Sequence, residues 1–175
     1  ATVHEALGQW AKAERDYSIV LAMTRRLYGG DHVYLAIALN NLAQIRTRLG
    51  KGTEAEALYE ESLAILQRLF PGDHPAVALS LGNLAHVRTL LGKGRDAEPL
   101  NVESLAMYRR LYSGDHPDVV RAHSNLAFLY DSIGKEAEAE LLYEESLKMI
   151  RRLFPGDHPD VALALNNLAD VRQIV

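Results

Sequence analysis

An Asp-His pair returns every 42 residues, at Asp31-His32, Asp73-His74, Asp115-His116 and Asp157-His158. A fixed period of this length means one supersecondary unit stacked on copies of itself, with contacts running mainly between neighbouring units. The period extends beyond the marker. A glycine precedes each pair (Gly30, Gly72, Gly114, Gly156), and Asn-Leu-Ala follows at Asn41, Asn83, Asn125 and Asn167. Gly8, Gly50, Gly92 and Gly134 keep the same phase, as do Ala13, Ala55, Ala97 and Ala139, and Leu21, Leu63, Leu105 and Leu147.

One period, from Asp31 to Pro71, reads as two amphipathic helices. In the first, Leu35, Ala38, Leu39, Leu42, Ile45 and Leu49 recur at three- and four-residue spacing and predict one buried stripe. Gly50 ends it, because glycine takes a left-handed cap without a Cβ penalty, and Gly92 and Gly134 are expected to do the same. The second helix is predicted to begin near Thr53, where Thr53 and Glu56 have capping-box spacing. Its inward side is predicted to be Ala55, Leu58, Tyr59, Ser62, Leu63, Leu66 and Leu69. Glutamates early (Glu54, Glu56, Glu60, Glu61) and Arg68 late complement the helix dipole, and Phe70-Pro71-Gly72 stops the helix. Each marker Asp directly precedes a first helix, so its carboxylate is the expected acceptor for exposed backbone amides, with proline two residues later suiting the first turn.

This reading of the marker competes with a chemical one. Four Asp-His pairs and seven histidines contain metal-ligand types. A site needs ligands converging in one coordination sphere, whereas equivalent residues of stacked repeats are offset by about one repeat width. No metal and no cofactor are expected. Catalysis has no better footing, since no nucleophilic triad, phosphate-cradling glycine loop or facing acid pair occurs, and Glu60-Glu61 and Glu144-Glu145 point about 100 degrees apart on a helix. The net charge of -4, with arginines distributed by period, argues against nucleic acid. No apolar run reaches the roughly 18 residues of a membrane span, and no secretory leader pattern opens the chain. The absence of cysteine excludes disulfides and only weakly favours a reducing compartment, so a cytoplasmic location is a default expectation.

The Gly-Asp-His-Pro turn, the Asn-Leu-Ala of the first helix, the Leu-Gly-Lys hairpins at 49–51 and 91–93 and the Ala-Glu-x-Leu-Tyr stretches at 55–59 and 139–143 resemble tetratricopeptide repeats of the 42-residue kind seen in kinesin light chains. The resemblance covers the whole chain. It implies an all-α fold, a right-handed α-α superhelix of antiparallel helix pairs in a single solenoid over residues 1–175. Its repeats fall at 31–72, 73–114 and 115–156, between a partial repeat at 1–30 with a remnant of a first helix and a half repeat at 157–175. Three residues depart from the pattern: Val33 replaces a marker proline, Asn101 replaces the recurring Tyr17, Tyr59 and Tyr143, and Pro99 falls inside a second helix. On the last helix, Val161, Leu165, Leu168, Val171, Ile174 and Val175 are expected to lack a covering helix, which suggests a longer array or end-to-end self-association.

The resemblance also implies that the outward side of the first helices lines a concave groove where an extended peptide lies. The residues placed there are Asn40, Asn41, Gln44 and Arg48, then Asn83 and His86, then Asn125 and Phe128, then Asn166, Asn167 and Asp170. Asparagine is a mediocre helix former whose amide both donates and accepts, so the recurring Asn can grip a peptide backbone while Gln44, His86, Phe128 and Asp170 read side chains. The same amide serves equally to bond the adjacent repeat, and both roles stand open. His86 reads as a groove-surface residue, and Phe128 as an apolar anchor or a packed wall. The expected function is a non-catalytic protein–protein interaction module binding a short peptide segment or a partner helix of a protein or peptide ligand in the concave groove. The alternative is a structural spacer or oligomerisation array in a larger regulatory protein.

Overall fold

The computed structural model describes the backbone of residues 3–173 and the side chains of residues 8–173. These residues form eight α-helices and no strand: α1 (Val3–Tyr28), α2 (Val33–Arg48), α3 (Gly52–Leu69), α4 (Pro75–Leu90), α5 (Gly94–Leu111), α6 (Pro117–Ser132), α7 (Glu136–Leu153) and α8 (Pro159–Arg172). The fold is the all-α helical repeat that the period demands. Even-numbered helices are the first helices and odd-numbered ones the second. The chain divides into two compact units, Ala1–Gly72 and Asp73–Val175.

In unit one, α2 packs against both α1 and α3. Its predicted stripe is buried from Leu35 to Ile45, with Leu49 half-buried at the end. The facing stripe of α3 is buried at Ala55, Leu58, Tyr59, Ser62, Leu63 and Leu66. Fully burying each large aliphatic side chain contributes about 1.5–3 kcal/mol, so packing between helices outweighs their intrinsic propensity. Ser62 Oγ donates to the Ala36 carbonyl at 2.9 Å and locks the two helices at one register.

In unit two the helices pack in chain order from α4 to α8, and α4 also touches α6. The serine lock returns as Ser104 to the Ala78 carbonyl at 2.7 Å and Ser146 to the Val120 carbonyl at 3.5 Å. Pro99 lies beyond the first turn of α5, yet the helix continues through it to Leu111. Asn101, fully buried where the copies carry Tyr59 and Tyr143, donates weakly to the Asn125 carbonyl at 3.5 Å, and its Oδ1 meets no partner.

Helix ends show how the sequence sets the turns. Gly50 takes φ +74°, the Lys51 amide reaches back to the Arg46 carbonyl at 2.9 Å and the Gly50 amide to the Thr47 carbonyl at 3.0 Å. This pair of bonds is a Schellman cap, and it returns at Gly92 and Gly134. Gly8 behaves differently. The helix α1 runs straight through it, so the short first-helix remnant is continuous with the second helix.

Several expectations need correction. The N-cap of each first helix is the marker His, not the Asp: Nδ1 of His32, His74, His116 and His158 accepts from the amide two residues on, at 3.1–3.2 Å. The Asp carboxylates instead form two-pronged pairs with an arginine at the end of the following second helix, Asp31 with Arg68, Asp73 with Arg110 and Asp115 with Arg152. The Thr53–Glu56 box does not form, because α3 already starts at Gly52 and the Lys51 carbonyl accepts the Ala55 amide. On α8, Leu168 and Val171 are buried against Tyr143, Leu147 and Ile150, so the open apolar residues there are Leu163 and Leu165. Ile174 and Val175 lie outside the described residues.

Candidate functional site

The outward faces of the first helices carry the residues assigned to the groove, and the two units are taken separately. In unit one, Asn40 and Asn41 are half-buried on α2 while Gln44 and Arg48 are exposed. The Arg48 guanidinium lies 4.9 Å from the centre of the Trp10 ring on α1, a cation–π contact that holds it to its own unit.

In unit two, His86 on α4 and Phe128 on α6 occupy the same place in successive first helices, and their rings meet at 5.5 Å between centroids. Burial holds the His86 imidazole below the ordinary histidine pKa and so keeps it neutral against the phenyl ring. Asn83 is half-buried one turn before His86. Asn125 packs against Gly82, where an added Cβ would come within 3.4 Å of the Asn125 amide nitrogen and 3.3 Å of Ser104 Oγ. The absence of a side chain at Gly82, where the copies have Asn40, Ser124 and Asn166, lets α4 approach this amide.

Asn125 and Asn167 come together in a cleft of about 380 Å³ formed by α6, α7 and α8. Arg121 and Ser124 join them on one side, Leu163 and Asp160 on the other, and Val120, Ser146 and Ile150 form an apolar and small-residue floor. Arg121 is braced by Asp118 at 2.6 Å and by the Tyr108 hydroxyl at 3.0 Å. Ser124 Oγ lies 3.1 Å from Ser146 Oγ. The cleft thus offers amides that donate and accept, one fixed cation, two carboxylates and the exposed Leu163 side chain. Such a set supplies hydrogen-bond donors, acceptors and charges of both signs on one surface.

Asn166 and Asp170 are exposed on α8 and do not line this cleft. Asp170 acts on Tyr143 instead, whose phenol is pushed up to about 12 by burial first, then by Asp131 and Asp170. Sequence reading missed Asp118 and Asp160 as cleft residues. Their signal was the change three residues after the marker Asp, which reads Tyr34, Ala76, Asp118 and Asp160 through the copies. Among the described residues, no three His, Asp or Glu side chains converge as metal ligands would, and no helix is long and apolar enough to cross a membrane.

Comparison with known proteins adds a family. The tetratricopeptide repeat model matches residues 1–68, 34–110 and 76–152. Two crystal structures described as the nearly identical TPR-like repeats of a Podosopora anserina kinesin light chain candidate, one of them a point variant, superpose with TM-scores of 0.77 and 0.79. Each is 23% identical, covering 95% of this chain and 79% and 78% of theirs. The crystal structure of BtubC (BKLC) from P. vanneervenii gives a TM-score of 0.81 at 27% identity, covering 97% of this chain and 67% of its own. No curated protein matches.

Proposed function

The chain belongs to the tetratricopeptide repeat family, and from that membership we propose a non-catalytic module that binds a short peptide segment against the first helices of unit two. Repeats of this family are generally protein–protein interaction modules. The observation that carries the finer reading is the α6–α8 cleft, where Asn125 and Asn167 from successive copies flank one apolar-floored space beside Arg121. Periodic amides at that spacing meet a peptide backbone whatever its sequence, while Leu163, Arg121 and Asp160 select side chains.

The test is a display library of short random peptides panned on the whole chain, with selected peptides remeasured on Asn125→Ala/Asn167→Ala. We expect affinity to fall roughly tenfold or more with helicity unchanged. A second reading, an oligomerisation array, is favoured by the open apolar faces at Ile19, Met23 and Leu27 on α1 and at Leu163 and Leu165 on α8. It predicts light-scattering mass that rises with concentration and drops with Leu165→Lys.

A further inference from the structure

The period supplies an internal control for every surface position. Three positions around one cleft of unit two depart from it toward apolar character. Tyr130 on α6 stands where the other first helices carry Arg46, Arg88 and Arg172. Val102 on α5 stands where the other second helices carry Ser18, Glu60 and Glu144, and Leu141 on α7 where they carry Arg15, Ala57 and Pro99. Val102 and Leu141 are 46% and 64% exposed. All three residues line a cleft of about 380 Å³ between α5 and α7, floored by Leu105 and Leu126. The fold does not require these choices, since the copies fold alike without them. Exposed apolar side chains gathered on one concavity, away from the α6–α8 cleft, mark an interaction surface.

The same control says what is missing there. In unit one Arg46 holds the place of Tyr130 and bridges Glu14 at 3.2 Å and Glu54 at 3.3 Å. The counterparts of these acids in unit two are Glu98, held by Lys135 at 3.0 Å, and Glu138, which lines the cleft. Tyr130 carries no positive charge; Lys135 Nζ lies 4.7 Å from its ring centre and answers Glu98 first and Glu138 only secondarily. Two acids therefore share one ammonium where unit one has both Lys51 and the Arg46 guanidinium. Arg109, on the opposite rim, is already engaged by His123 Nε2 at 2.7 Å and Glu145 at 3.5 Å.

We propose that the α5–α7 cleft docks a segment of a partner protein that presents an apolar side chain beside a basic one. The apolar group sits between Val102 and Leu141 over Leu126, and the cation meets Glu138 as Arg46 meets Glu54. This geometry is that of an anchor residue in an apolar cleft with a charged neighbour setting specificity.

The experiment pans short random peptides on the whole chain. Anisotropy then compares selected peptides on wild type, on Val102→Glu/Leu141→Ala, on Glu138→Gln and on Asn125→Ala/Asn167→Ala. The first variant restores residues that the copies carry at exposed sites, and circular dichroism checks its fold. Expected are peptides with an apolar residue next to Lys or Arg. Their binding weakens roughly tenfold or more on Val102→Glu/Leu141→Ala, drops on Glu138→Gln, and is unchanged on the Asn variant. The proposal is overturned if no selected peptide responds to the cleft substitutions. It is equally overturned if the responsive peptides carry acids in place of bases, or if wild type forms a dimer that Val102→Glu/Leu141→Ala dissolves, since the occupant is then a second copy.

Discussion

At the scale of single residues, the marker dipeptide divides its labour. The His ring caps the first helix through Nδ1 and stacks on the aromatic that ends the preceding helix, at 3.7 Å for Tyr28–His32, 3.5 Å for Tyr112–His116 and 4.1 Å for Phe154–His158. His116→Ala should therefore destabilise by at least about 1 kcal/mol in urea denaturation, the usual worth of a lost cap. The Asp acts through charge. Hydrogen bonds from Arg68, Arg110 and Arg152 hold the carboxyls of Asp31, Asp73 and Asp115 below the ordinary range. A depressed carboxylate stabilises fully above its unfolded pKa of about 4 and loses that contribution as pH falls through the lower folded value. Melting temperatures of wild type and Asp115→Asn should differ at neutral pH and converge as the pH falls below about 4 and through the lower folded value. His123 has the same sign for a different reason. It is buried where Leu39 and Leu81 sit in other copies, and burial first, then Arg109, lowers its pKa against the opposing pull of Glu145. The neutral ring's contribution is present above its unfolded pKa of about 6.5 and lost as pH drops through the folded value. Thermal melts should show His123→Leu losing less stability than wild type between about pH 7 and about pH 5. The periodic Asp and His were legible in the chain, but their roles were not. Asp is the commoner cap, and its arginine lies 37 residues away, beyond the reach of local pattern.

At the scale of elements, glycine and packing decide more than capping motifs. The hairpin glycines were readable because a left-handed residue followed by lysine closes both Schellman bonds, and Gly50, Gly92 and Gly134 do so. Gly8, followed by Gln9-Trp10, carries the same phase but stays helical, since glycine permits the turn without compelling it. The stripe of α2 was legible from spacing alone, whereas burial of Glu56 and Ile65 on α3 was not, because the width of a buried face depends on the neighbouring helices. Pro99 is the weak point of α5. Its ring forgoes an intrahelical bond while its position is exposed, so Pro99→Ala should stabilise by about 1–3 kcal/mol, read as a raised denaturation midpoint at constant slope.

At the scale of the molecule, the repeat makes each copy a control for the others. What recurs, the marker turn, the serine lock and the glycine cap, builds the helix pairs; what varies is where the proposed recognition surfaces lie. The period located the cleft asparagines Asn125 and Asn167, but the acids Asp118 and Asp160 emerged only when three helices were assembled around one space. The central claim is that this space holds a peptide. Its most direct measurement is the affinity of library-selected peptides for wild type and for Asn125→Ala/Asn167→Ala, read by fluorescence anisotropy alongside far-UV circular dichroism. The account predicts peptides that lose roughly tenfold or more in affinity on the double variant while helicity holds. Equal affinity for both proteins, across every peptide recovered, contradicts it.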